Sequence, residues 1–164
     1  SKRFLTYYMI CGVGAAVLNM GVQAWEYSQI AAYLDPKDIA QFKLRGFEWI
    51  NENFTTIEEV DPGWIKLAQL FYTPMVGASG AVFGILIAFG MLYPNTELMI
   101  FPLPIPIKAK YFVLLYGGYE LYAGYASYAG LPGGGGNVAH FAHIGGLVVG
   151  FITVMIWKRR LPHT

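Results

Sequence analysis

The sequence has 164 residues, of which 55% are hydrophobic, 16% aromatic and only 13% charged. A soluble domain carries about 25% charged residues, so this chain lacks the charge that a water-facing surface needs, and its mean hydropathy of +0.44 agrees. Eleven bases against ten acids leave a net charge of +1 and no case for a nucleic-acid partner, while the single cysteine, Cys11, excludes an internal disulfide.

The chain opens at Ser1 with no methionine and no signal-peptide pattern, so further sequence upstream is expected. Four apolar stretches follow, at about 4–21, 70–93, 111–131 and 138–157. Each is close to the ~20 residues that cross ~30 Å of hydrocarbon at ~1.5 Å per residue. Core helices of a soluble protein would need far more polar sequence to cover them. The expected fold class is all-α, a polytopic transmembrane helix bundle forming one membrane domain over 1–164.

Between the first and second spans lies a segment, 22–69, with four bases and eight acids. Asp35, Pro36, Lys37 and Asp38 read as a helix start, with Asp35 as cap and Pro36 at the first helical position. Ile39, Phe42, Phe47 and Ile50 then recur near helical spacing, which predicts one or two amphipathic helices. Trp49, Trp64 and Phe71 suit the headgroup level of a bilayer. After the second span, Pro102, Pro104 and Pro106 alternate within 101–108, where no helix survives, so an extended connector is expected.

The remaining seven bases flank the spans on one side: Lys2 and Arg3, then Lys108 and Lys110, then Lys158, Arg159 and Arg160. The positive-inside rule makes those regions cytoplasmic and the acidic segment external. The second and fourth spans then run parallel, from outside to inside.

Ser79 lies at the outer end of the second span and His143 at the outer end of the fourth. Each stands 14 residues from an aromatic taken as an inner-interface marker, Tyr93 and Trp157. That distance is ~21 Å of helix, so both sit at one depth, roughly 10 Å below the outer surface. Gly80 and Gly84 follow Ser79, and Gly146 and Gly150 follow His143. Such small-residue faces let two membrane helices approach closely. A crossing there brings hydroxyl and imidazole within reach, so that imidazole takes the serine proton and returns it to the leaving amine.

Gly77, Ala78, Ser79 and Gly80 resemble the GxSG motif of rhomboid intramembrane serine proteases. The stretch from Ala142 and His143 to Gly146 and Gly150 resembles their AHxxG…G motif. The resemblance covers essentially the whole chain, as the third to sixth helices of a six-helix core of bacterial type. It implies a Ser-His dyad without an acid, with Ser79 as nucleophile and His143 as general base. It also implies Gly77, Ala78 and the serine amide as oxyanion support, Phe83 as the ring under His143, and Tyr125 or Tyr128 at a lateral gate. The family's HxxxN helix and outer-loop Trp-Arg pair are not in this sequence, which implies that these 164 residues alone are inactive.

The implied function is cleavage of transmembrane segments of partner proteins near the outer face of a bacterial inner membrane, with the C-terminus cytoplasmic. No cofactor is implied. The alternative is a catalytically inactive relative that binds or escorts membrane helices. A small transporter, with Glu120 and His143 as a proton path, is a more distant alternative. Glu120 is expected at mid-span, away from the dyad's depth, and either neutral or bonded to a tyrosine hydroxyl. His140 is expected at the rim. His140 and His143 are three apart, but no third ligand at their depth is evident, so no metal site is expected. Tyr116, Tyr119, Tyr122, Tyr125 and Tyr128 spiral around the third span, mostly as packing or interfacial residues. The glycine run at 133–136 reads as a flexible outer loop. Substrate identity and oligomeric state are beyond the sequence.

Overall fold

The computed structural model describes residues 2–72, 78–100, 103–129, 131–132 and 140–160. Its helices are α1 (Lys2–Ala31), α2 (Pro36–Arg45), α3 (Phe47–Asn53), α4 (Pro62–Tyr72), α5 (Ala78–Leu92), α6 (Ala109–Ala129) and α7 (His140–Arg160). A 3-10 turn, Ile57–Glu59, precedes α4, and strands β1 (Glu97–Ile100) and β2 (Leu103–Lys108) join α5 to α6. The chain divides into two units, one of Ser1–Asn19 with Val76–Thr164 and one of Met20–Met75.

The first unit is an apolar helix bundle whose centre is built from small residues. α5 packs chiefly against α7, and α6 lies against both. A methyl added at Gly146 would collide with the backbone of Gly80, and one at Gly150 would come 2.9 Å from the Gly84 Cα. The two backbones therefore touch at the crossing, which only glycine permits. The N-terminal part of α1 lies against the same crossing: a methyl at Gly145 would sit 3.0 Å from the Ala15 Cα. The Tyr7 hydroxyl donates to the Gly84 carbonyl at 2.6 Å, and Tyr7, Cys11 and Val154 form a buried cluster.

α1 and α7 are each long and apolar enough to cross a membrane, and α5 is apolar but shorter. Many of the bundle's large side chains face outward, among them Phe4, Val17, Leu114, Leu115 and Phe151. In water such a surface is untenable; against lipid tails it is the expected one.

The second unit holds a core of its own. Ile39 and Phe42 are buried with Trp49, Trp64 and Leu67. The Trp49 and Trp64 rings lie 4.5 Å apart, and Phe42 is 5.5 Å from Trp64. This corrects the expectation that both tryptophans sit at the headgroup level, because each is spent on the core; Phe71 and Phe47 remain exposed. The predicted cap is present: the Asp35 carboxylate accepts from the Lys37 amide at 2.8 Å, with Pro36 opening α2. Gly46 ends α2 and begins α3 at φ +61°, a region that side-chain-bearing residues rarely adopt.

The proline-rich connector is extended as expected, but it is paired. β1 and β2 form an antiparallel hairpin with Glu97 opposite Lys108 and Met99 opposite Pro106. In a two-stranded ribbon each strand has a free edge, so prolines that cannot donate are tolerated there.

Candidate active site

The first residues of α5 and α7 carry the serine and the histidine. Ser79 is the second residue of α5 and is half-buried; Ala78, which opens the helix, is exposed. Gly77 lies outside the described residues, as does the glycine run at 133–136. His143 is in the first turn of α7, its side chain 12% exposed. The glycine crossing sets their approach: a methyl at Gly80 would lie 3.0 Å from the carbonyl oxygen of Ala142. The two residues in question are the immediate chain neighbours of that contact.

The histidine ring is fixed on two sides. Its face stacks on Phe83, with centroids 4.2 Å apart and planes inclined by 16°. Phe83 is buried, and its ring is also 5.0 Å from that of Tyr116 on α6. The edge of the His143 ring meets Glu120. Nδ1 of His143 is 3.0 Å from Glu120 Oε2, and Nδ1 of His140 is 2.7 Å from the same oxygen.

This overturns three expectations from the sequence. Glu120 is at the histidines rather than away from them, its side chain 3% exposed, and its carboxylate oxygen meets two imidazoles rather than a tyrosine hydroxyl. His140 is buried rather than at the rim. The site therefore contains an acid.

Glu120, His140 and His143 are a donor set whose ligand atoms lie within 4.8 Å of one another. A zinc ion with bonds of ~2.0–2.1 Å would hold tetrahedral ligand atoms ~3.3 Å apart. The separations of 2.7 and 3.0 Å are instead hydrogen-bond lengths. The Nε2 of His140 is buried with no hydrogen-bond partner among the described residues.

Along α6, Tyr119, Tyr122 and Tyr125 are exposed, and so is Tyr128. The Tyr122 hydroxyl donates to the Pro132 carbonyl at 3.3 Å. Tyr125 and Tyr128 thus share the outer surface of this helix, while Tyr116 turns toward Phe83.

Apolar helices packed through glycine, with histidines and a carboxylate buried among them, define an all-α membrane bundle. The rhomboid-domain family model matches residues 1–160, and the chain belongs to the rhomboid family. Rhomboid proteins are membrane-embedded, and the family is composed largely of intramembrane serine proteases. No curated protein and no solved structure matches the chain significantly.

Proposed function

We propose that this chain carries the nucleophile and general base of an intramembrane serine protease, Ser79 and His143. The observation that supports this most is the immobilised imidazole. His143 is stacked on Phe83 and bonded through Nδ1, beside the backbone contact that joins its helix to the one opened by Ser79. A general base needs its ring held and one nitrogen left for the proton it abstracts.

In the reaction, the Ser79 oxygen attacks the scissile carbonyl carbon while its proton passes to Nε2 of His143. The carbonyl electron pair moves onto oxygen, giving an oxyanion near the first-turn amides of α5, which point out of the helix end. Ala78 and Gly77 support that region. The imidazolium then donates its proton to the leaving nitrogen as the carbon–nitrogen bond breaks, and water repeats the cycle on the acyl-enzyme.

The substrates are membrane proteins with a transmembrane helix, cut close to the outer face. Gly80, Gly84, Gly146 and Gly150 hold the two catalytic helices together, and Tyr125 and Tyr128 border the approach along α6. Loss of cleavage of a model membrane substrate on Ser79→Ala in the full-length natural protein, with the folded protein retained, is the expected result. Undiminished cleavage would sink the proposal. The bacterial inner membrane is the proposed location, with the basic end of α7 on the cytoplasmic side.

A further inference from the structure

We infer that Glu120 is a positioning residue for His143, so that the site works as a serine–histidine–glutamate array rather than as a dyad without an acid. The inference rests on the protease reading above.

Glu120 is the one acid in α6, and its place inside an apolar bundle needs a reason. One oxygen, Oε2, faces two ring nitrogens, Nδ1 of His140 and Nδ1 of His143. An ionised carboxylate satisfies both at once, by accepting an N–H from each ring. A carboxyl protonated on Oε2 would instead donate its one hydrogen to one of the rings, whose own hydrogen would then sit on Nε2. With the carboxylate accepting, His143 carries its hydrogen on Nδ1, and its Nε2 bears the lone pair. That is the tautomer the reaction needs. Phe83 holds the plane of the ring, and Glu120 sets which edge faces inward.

The carboxylate also acts during the reaction without changing its own covalent state. When the serine proton reaches Nε2, both ring nitrogens are protonated and the ring is cationic. Nδ1–H remains bonded to Oε2, which balances the new charge, and the Nε2 proton leaves with the amine. No proton moves to Glu120. His140 serves as the second donor to the same oxygen, so that the carboxylate is not left with one hydrogen bond in a buried site.

The experiment compares Ser79→Ala, Glu120→Gln and Glu120→Asp in the full-length protein, reading kcat and KM for a membrane substrate, with 15N NMR of the histidine rings in detergent. Glutamine is the same size but can present an NH2 group to Nδ1 and so stabilise the wrong tautomer. Glu120→Gln is expected to lower kcat on the order of 10²-fold or more, as when a buried triad carboxylate is neutralised. KM should stay within about twofold, because the residue acts through His143 and not on substrate. Aspartate should restore part of the loss. Wild-type His143 should give the spectrum of an Nδ1–H tautomer. A folded Glu120→Gln protein with unchanged kcat overturns the inference while leaving the protease reading intact. Cleavage by Ser79→Ala removes the protease reading and this inference with it. If Glu120→Gln does not fold, the wild-type NMR decides: Nδ1–H on His143 supports the assignment, and Nε2–H overturns it.

Discussion

Phe83 and Glu120 hold one imidazole from different helices, the first by its face and the second by its edge. The two were not equally legible in the sequence. Phe83 lies four residues after Ser79, one turn along the same helix, and its place under His143 was what the family resemblance implied. Glu120 is on another helix, and its neighbours depend on how far side chains reach across the packing gap, which residue spacing does not encode. The available signal was its cost: an ionisable residue inside an apolar helix implies a partner, and two histidines three apart offered one. Stacking of the Phe83–His143 kind is worth about 0.5–1.5 kcal/mol. Phe83→Leu keeps most of the apolar volume but removes the flat surface. Its kcat should fall on the order of 10-fold, each ~1.4 kcal/mol being tenfold, with little change in thermal stability. An unchanged kcat would mean that Glu120 alone fixes the ring.

At the scale of elements, the pairing of α5 with α7 was readable because close approach in a membrane requires small residues at four-residue spacing, and both helices display them. The structure puts Gly146 on Gly80 and Gly150 on Gly84. Gly146→Ala has no flexible side chain to displace, only the facing backbone, so the helices must separate. A loss of about 1–3 kcal/mol in stability is expected, as for overpacking in a filled core. Gly118 supplies the control, since nothing lies within 4 Å of an added methyl there. Gly118→Ala should be neutral or stabilising by up to about 1 kcal/mol, the helix propensity gained. Equal effects in a thermal unfolding series would contradict the packing described. The hairpin and the aromatic core of the second unit were less legible. Alternating prolines exclude a helix without saying what an extended segment pairs with. Tryptophans suit an interface and a core alike, and only the packing of Trp49 on Trp64 separates the two.

For the whole molecule, composition was enough to place the chain in a membrane, because 13% charged residues cannot solvate four apolar stretches. Its charge asymmetry gives a directional expectation: Lys158, Arg159 and Arg160 cluster at one end of α7. A cysteine placed at the C-terminus in a Cys11→Ala background should resist an impermeant thiol reagent in intact cells and react after lysis. Labelling in intact cells would reverse the topology. Family membership rests on 1–160 of the chain, whereas activity depends on the chemistry of one serine. A fluorophosphonate probe addresses that chemistry directly in the full-length protein. Covalent labelling is expected at Ser79, lost in Ser79→Ala and strongly reduced in His143→Ala. A folded wild-type protein that takes no label, or takes it equally without His143, would contradict the central claim.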